Sequence, residues 1–239
     1  MRCKLAIITI HSGDIRNLIK TINSVGKQIE KPDLHLIISK KFNTFFCQDK
    51  RSSTIKFVRK KDKSLYNAMN IGQLYTKKYS IIFLNSGDTL YRNNTLNLIK
   101  PKIANNNKCL NFKTLLQHGK KKFFIKNSVF YNNNFFSHPS FVRPPVKKSI
   151  KFNEYFNVIA DSFWMRSNVE LYRIKKIPDI ISIHFLGGVS SSPNFFSIKD
   201  NFKFSLLYGI KELLKFIIFI ILKKPKYYSF IFDKKFSIR

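Results

Sequence analysis

The chain has 239 residues and carries 44 Lys and Arg against 13 Asp and Glu, a formal net charge of +31, and 44% of it is hydrophobic. This length predicts one globular domain with room for an appendage, and the apolar content suffices for a core, so the excess charge does not indicate disorder. Three widely spaced cysteines exclude a disulfide framework and a zinc site, which favours a reducing compartment.

Strand and helix patterns alternate over the first ninety residues. The predicted elements are a strand over 3–10, a helix from Ile15 to Gly26, strands over 34–39 and 54–58, a helix from Ser64, and a strand over 79–84. Such alternation predicts an α/β fold with a mainly parallel sheet and helices on both faces, whose ligands bind at the carboxyl ends of the strands. The first strand is not followed by Gly-x-Gly-x-x-Gly, which argues against a dinucleotide cofactor.

The second half of the chain is less regular. Residues 105–134 are rich in Asn and Lys with short apolar pieces, which predicts irregular strands and loops. A helix is predicted from about Asp161 to Leu171, followed by a last strand from Ile177 to Leu186 and a flexible turn over 187–192. We therefore expect the folded domain to end near residue 192.

The segment 193–239 is predicted to be a separate basic, apolar helical tail. Its apolar run from Phe216 to Leu222 is flanked by lysines and is shorter than the roughly 18 to 20 residues that span a bilayer. A helix of this kind suits the headgroup region of an anionic membrane, although it could instead pack on the domain. Because the N-terminus lacks a signal-peptide core, we expect a cytoplasmic protein that is peripheral at the inner face of the plasma membrane.

Acidic residues are scarce, so the candidates for carboxylate chemistry are few. Asp88 follows the strand over 79–84, where a carboxylate can hold a divalent cation that neutralises a diphosphate leaving group. Taken alone, it also fits an ordinary strand-to-loop turn. Asp161 begins a predicted helix and could be a general base or an N-cap. The motifs around Asp88 and Asp161 are therefore needed to choose between these roles.

Several ordered motifs over roughly residues 4–192 resemble a known family. The string DKSLYNAMNIG, from Asp62 to Gly72, and FLNSGD, from Phe83 to Asp88, resemble inverting family 2 glycosyltransferases, most strongly bacterial enzymes of the colanic-acid and O-antigen type. Three later matches are SHPS at 137–140, resembling Ser-His-Gln, the stretch 152–166 around Ala160 and Asp161, and GGVS at 187–190. The resemblance implies a GT-A fold over residues 1–192, a nucleotide-sugar donor and a divalent metal, Mn²⁺ or Mg²⁺.

The resemblance also implies roles for particular residues. Asp88 would ligate the metal on the donor diphosphate, and Asp161 would be the catalytic base that deprotonates the acceptor hydroxyl. Asp62, Asn70 and Asn85 would lie with Asp88 on the nucleotide-sugar side.

Two histidines are weaker candidates. His184, at the end of the last strand, could be a second metal ligand or a strand histidine with ordinary hydrogen bonds. His138 is better explained as an acceptor-side or structural residue than as a metal ligand. One departure from the family is specific: Ser39-Lys40-Lys41 stands where many relatives have an acid that contacts the nucleobase, so the resemblance does not assign nucleobase recognition to this position.

The function that follows is transfer of a hexose or N-acetylhexosamine. The donor would be a UDP-sugar, by family analogy, and the acceptor an undecaprenyl-diphosphate-linked saccharide in the synthesis of O-antigen, capsule or exopolysaccharide. One alternative is a degenerate GT-A protein that acts as an assembly partner, because the first acid of the metal motif is missing. The other alternative is a basic nucleic-acid-binding module. The Lys, Arg and aromatic residues are not clustered in a recognisable nucleic-acid-binding motif, so we expect no specific nucleic-acid partner.

Overall fold

The computed structural model describes residues 4–40, 55–59, 63–104, 107–119, 121–123, 138–146, 150–186, 199–200 and 202–203. Asp62, the turn over 187–190 and most of the 193–239 segment lie outside this part of the chain. The described elements are β1 (Leu5–His11), α1 (Ile15–Gly26), β2 (Leu34–Ser39), β3 (Ile55–Arg59), α2 (Leu65–Tyr75), β4 (Ser80–Phe83), β5 (Thr89–Leu90), α3 (Thr95–Ala104), β6 (Cys109–His118), β7 (Lys121–Phe123), a 3₁₀ helix (His138–Ser140), β8 (Phe141–Val142), α4 (Ala160–Tyr172) and β9 (Ile174–Phe185).

Four parallel strands form the first sheet, in the order β3-β2-β1-β4. The central strand β1 is buried along its whole length, as its nearly continuous apolar sequence requires. Met69 of α2 and Trp164 of α4 lie in the core on one face of this sheet. Val25 of α1 and Leu96 of α3 lie in the core on the other face. The predicted α/β fold, with a parallel sheet between helices, is confirmed.

The second sheet has the order β5-β9-β6-β7, with β8 also paired to β6. Strands β6 and β9 are parallel, whereas the other pairs are antiparallel. The two sheets meet where Arg143, after β8, forms an antiparallel bridge with Ile81 of β4. The loop from β4 to β5 also passes from one sheet to the other, and it contains Asp88.

Local sequence explains how helix α2 begins and why it packs closely on the parallel sheet. The Ser64 hydroxyl accepts a hydrogen bond from the backbone N–H of Asn67 at 3.1 Å and caps α2. Gly72 lets α2 lie close to β1, because a Cβ there would be 2.8 Å from Cγ2 of Ile8. Helix α2 is therefore held close against β1 at Gly72.

The structure departs from the sequence-based elements in the second half. Residues 109–118 form one ten-residue strand, β6, where irregular strands and loops were expected. Pairing with β9 on one side and with β7 and β8 on the other regularises this segment despite its polar composition. Helix α3 was not predicted, since Pro101 lies inside it.

The start of the predicted tail packs against the domain. Asp200 is fully buried, and the Nζ of Lys203 lies 3.9 Å from the centre of the Tyr155 ring. None of the helices in the described part of the chain is long and apolar enough to cross a membrane. The domain boundary at residue 192 and the membrane contact of the tail stay predictions.

Candidate active site

The candidate site is built on the loop that follows β4. Gly87 adopts a φ of +105°, which a glycine takes up without strain. Thr21 of α1 fixes the loop from the side: its hydroxyl accepts from the Gly87 N–H at 3.0 Å and lies 2.8 Å from the carbonyl oxygen of Asp88. The loop therefore turns the Asp88 side chain inward, at the carboxyl end of the parallel sheet.

Asp88 is only 3% exposed, and both of its carboxylate oxygens have partners. Oδ1 accepts from the backbone N–H of Phe185 at 2.9 Å and lies 2.9 Å from Nδ1 of His184. Oδ2 lies 3.2 Å from Nε2 of His138. Burial alone would raise the pKa of Asp88, but the two histidines outweigh it and hold this pKa well below its ordinary value. Asp88 is therefore a carboxylate at neutral pH.

His138 lies between the two carboxylates singled out by the sequence. Its Nε2 faces Asp88, and its Nδ1 is 3.6 Å from Oδ2 of Asp161. Burial would lower the pKa of His138, but the hydrogen bonds and charges of Asp161 and Asp88 raise it to about 9. The structure thus joins Asp88 and Asp161 through one imidazole, a link that the sequence did not indicate.

Asp161 lies in the first turn of α4, where the positive end of the helix dipole favours a carboxylate. It is not the N-cap, because Ile159 holds that position. Its Oδ1 lies 3.5 Å from the hydroxyl of Tyr66, and a quarter of the side chain is exposed. Burial and then the charge of Asp161 raise the pKa of Tyr66 well above its ordinary value, so Tyr66 remains a hydrogen-bond donor. Tyr66 therefore orients a carboxylate that an incoming molecule can reach.

Asn70 occupies a different environment. Its amide donates to the Phe152 carbonyl at 3.0 Å and to Oε1 of Glu154 at 2.8 Å, and its oxygen accepts from the Phe152 N–H at 2.8 Å. These bonds tie α2 to the segment that leads into α4. The predicted contact of Asn70 with the donor stays a prediction, as does that of Asp62, which lies outside the described residues.

Asp88, His138 and His184 form a group that could hold a metal ion, with one ligand atom from each lying within 4.8 Å of the others. A different oxygen of Asp88 faces each histidine, Oδ1 at 2.9 Å from Nδ1 of His184 and Oδ2 at 3.2 Å from Nε2 of His138. Asn85 lies beside this group, with its Nδ2 at 3.2 Å from Nε2 of His138, and its buried amide oxygen has no hydrogen-bond partner among the described residues. This donor set fits a divalent cation.

Comparison with known proteins identifies the architecture. No protein-family model matches the chain, and no curated protein sequence does. Residues 1–349 of TarS from S. aureus, in complex with UDP-GlcNAc, match with a TM-score of 0.67 at 16% identity, over 85% of this chain and 65% of that one. The complex of the same protein with UDP matches with a TM-score of 0.60 at 15% identity, over 77% and 61%.

A third solved structure is that of a mannosyltransferase. The mannosyltransferase PcManGT from Pyrobaculum calidifontis, in complex with GDP-Man and Mn²⁺, matches with a TM-score of 0.58 at 9% identity, over 88% of this chain and 66% of that one. The chain has the GT-A fold. It spans about three fifths to two thirds of the length of these structures. The GT-A fold expected from the motifs is therefore confirmed.

Tyr66 was not assigned a role from the sequence, and His138 was assigned to the acceptor side rather than to the metal group. Tyr66 precedes Asn70 by one helical turn, so the pair shares a face of α2, and this spacing was the available signal. The proximity of His138 to Asp88 had no such signal, because the two are separated by 50 residues, one in the loop before β5 and the other in the 3₁₀ helix before β8.

Proposed function

We propose that this chain is an inverting family 2 glycosyltransferase that transfers a hexose or N-acetylhexosamine from a nucleotide sugar to a lipid-linked saccharide. The observation that carries the proposal is the convergence of Asp88, His138, His184 and Asp161 at the carboxyl end of the sheet in a GT-A fold. This edge is where open α/β sheets bind their ligands. The quoted motifs around Asp88 and Asp161 support the same assignment.

The donor side is assigned to Asp88 and His184, and His138 joins them as the neutral imidazole, with Nε2 towards the ion and Nδ1–H towards Asp161. A divalent cation held there would offset the negative charge of the diphosphate. Two imidazoles and one carboxylate suit Mn²⁺ better than Mg²⁺, which prefers oxygen ligands, so we propose Mn²⁺. A UDP-sugar is the first donor to test, because family analogy favours it and the matching TarS structures hold UDP and UDP-GlcNAc.

The acceptor side is assigned to Asp161. Its partly exposed carboxylate takes the proton of the acceptor hydroxyl while that oxygen forms a bond to the anomeric carbon. The bond from the anomeric carbon to the diphosphate breaks, and its electron pair leaves with the nucleoside diphosphate. Attack on the face opposite the leaving group inverts the configuration. Tyr66 and His138, on the two oxygens of Asp161, keep the carboxylate directed at the acceptor.

The acceptor that we propose is an undecaprenyl-diphosphate-linked saccharide in the synthesis of a bacterial surface polysaccharide. The net charge of +31 favours attachment to an anionic membrane, where such an acceptor resides. The 193–239 segment supplies the basic, apolar sequence for that contact. A truncation that ends before Asn201 is expected to leave the membrane fraction; if it stays bound, the tail is not the anchor.

The decisive experiment combines the full chain with UDP- and GDP-sugars, an undecaprenyl-diphosphate-GlcNAc analogue, and either Mn²⁺, Mg²⁺ or EDTA. Mass spectrometry is expected to detect a glycosylated acceptor with Mn²⁺ and none with EDTA. Asp161→Ala should abolish transfer, whereas Asp179→Ala, which removes a half-exposed acid of β9 near Lys102, should not. Equal product with EDTA would exclude the metal role, and donor binding without transfer by the wild-type chain would favour the assembly-partner alternative.

A further inference from the structure

A buried carboxylate, Asp200, lies at the entrance to helix α4. Its side chain is fully buried, and it comes from the segment that returns to the domain after β9. Oδ2 accepts from the backbone N–H groups of Asn157 at 2.5 Å and Val158 at 2.6 Å, and Oδ1 accepts from the Asn157 amide at 3.2 Å. Burying a charge costs free energy unless the charge is paired or hydrogen-bonded, so these three bonds offset the cost of burying Asp200.

The bonds to Asp200 take the place of an ordinary helix cap. Ile159, at the N-cap of α4, makes no side-chain hydrogen bond to the start of the helix. Asp200 instead binds the two residues that come immediately before Ile159. Asp161 follows two residues after it, in the first turn of the helix. The direction in which α4 begins, and with it the position of the Asp161 carboxylate, therefore depends on Asp200.

A second contact fixes the same segment. Lys203 Nζ donates to the carbonyl oxygen of Tyr155 at 3.3 Å and lies over the Tyr155 ring. Phe156, the next residue, stacks on Phe163 of α4 with ring centres 5.3 Å apart. The segment 155–158 is thus held between α4 and residues 200–203, and Asp200 supplies the buried, directional part of this attachment.

The distance between Asp161 and Tyr66 makes the position of the Asp161 carboxylate sensitive to the bonds that Asp200 makes. At 3.5 Å their hydrogen bond is at the limit of its range, so a small displacement of the first turn of α4 would break it. We propose that Asp200 is a positioning residue that sets the Asp161 carboxylate for proton abstraction. This inference rests on the proposed function. It assigns to the segment after β9 a part in the reaction, in addition to any part in membrane attachment.

The test compares Asp200→Ala and Asp200→Asn with Asp33→Ala in the full chain. An asparagine oxygen can still accept from both backbone N–H groups, so Asp200→Asn is the rescue variant. Asp33 is the matched control because it also accepts a backbone N–H, from Leu5 at 2.8 Å, but at the opposite end of β1 from the site. Asp33→Ala is expected to lower thermal stability without lowering kcat.

For Asp200→Ala we expect kcat to fall at least tenfold while the donor KM changes less than twofold, because Asp88 and His184 are held by β9 and the loop after β4 rather than by α4. Asp200→Asn should retain kcat within threefold of the wild type. Hydrogen exchange measured by mass spectrometry should be faster at 157–161 in the alanine variant alone. An unchanged kcat in Asp200→Ala, or an equal fall in Asp33→Ala, would overturn the proposal.

Asp200→Glu covers the case in which the alanine variant does not fold, since it keeps the charge and both acceptors but displaces the loop by one methylene. We expect a fall of at least threefold in kcat with unchanged donor KM, and an unchanged kcat would again overturn the inference. Failure of the wild-type chain to transfer any sugar would overturn the proposed function instead. The exchange rates at 157–161 would then decide whether Asp200 holds the loop.

Discussion

The β1–β3 half of the parallel sheet and the mixed sheet differ in the distance along the chain over which they are assembled. Strands β1, β2 and β3 pair in chain order, each with the next strand of the sequence, whereas β4 joins β1 only 75 residues further on. In the mixed sheet, β9 lies between β5 and β6, which come from much earlier in the chain. The candidate metal group joins the two sheets. Asp88 lies in the loop after β4 of the parallel sheet, and His184, 96 residues later, lies near the end of β9.

This difference shows why the site lies at the junction of the sheets. The loop after β4 presents the Asp88 carboxylate at the edge of the parallel sheet, but the histidine at the end of β1, His11, is hydrogen-bonded to Ser86. The mixed sheet brings His184 to one oxygen of Asp88, and the 3₁₀ helix beside it brings His138 to the other. The site is complete only when the two sheets are docked, so variants on either side can test their separate contributions.

The largest effect is expected for Asp88→Asn, which removes the charge at the junction. We expect transfer to fall roughly 10³-fold, because several kcal/mol of leaving-group stabilisation are lost. The rate of sugar transfer measured at saturating Mn²⁺ checks this, with Asp179→Asn as a matched acid control in β9. Transfer within tenfold of the wild type would show that the junction carboxylate does not act on the donor.

A smaller effect is expected on the mixed-sheet side. His184→Gln removes one of three ligand atoms, so Mn²⁺ affinity should fall by roughly 100-fold, or about 2.7 kcal/mol. Calorimetric titration of the full chain with Mn²⁺ measures it, and excess Mn²⁺ should restore part of the transfer rate. The control is His35→Gln, a buried histidine of β2 outside the site. Unchanged affinity in His184→Gln would confine the metal site to the parallel sheet and the 3₁₀ helix.

The same contrast explains what could be predicted from the sequence. The α1 and β2 bounds matched the prediction, because helical spacing, caps and continuous apolar runs are short-range signals. Strand β6 and the early start of β9 at Ile174 could not be predicted in this way, since long-range pairing forms them and Lys175, Lys176 and Pro178 obscure the strand pattern. Asp88 and Asp161 were therefore found from motifs, whereas the position of His138 between them needed the folded structure.

In the core of the parallel sheet, His35 gives a pH-dependent test. The Thr9 hydroxyl donates to the Leu84 carbonyl at 2.8 Å, so Nε2 of His35 must be the donor to Thr9 at 2.9 Å. Burial lowers the pKa of His35 to about 4, below its unfolded value of 6.5. The unfolded chain therefore binds the extra proton first, and stability is lost as the pH falls from 6.5 towards 4.

At pH 5 this loss should amount to about 2 kcal/mol, since each unit of pKa difference corresponds to about 1.4 kcal/mol. His35→Gln keeps an N–H for Thr9 and does not titrate, so its stability should fall less steeply between pH 7 and pH 5. Urea unfolding of both proteins at the two pH values measures the difference. Parallel pH profiles for wild type and variant would show that His35 is not held neutral by burial.

The smallest effect is expected where α2 packs on β1. In Gly72→Ala the new Cβ would lie 2.8 Å from Cγ2 of Ile8 and 3.3 Å from Cδ1 of Ile38, so the helix or the β-branched Ile8 has to move. We expect a loss of about 1 kcal/mol in the free energy of unfolding, at the low end for an overpacked core. Gly26→Ala, at the end of α1 with nothing within 4 Å of the added Cβ, is the matched control and should be neutral or slightly stabilising.

Because α2 carries Tyr66, a shift of the helix should also lower transfer more than the loss of stability alone explains. If Gly72→Ala changed neither quantity relative to Gly26→Ala, the close contact of α2 with the parallel sheet would not control the base, and the attachment at the start of α4 would act alone.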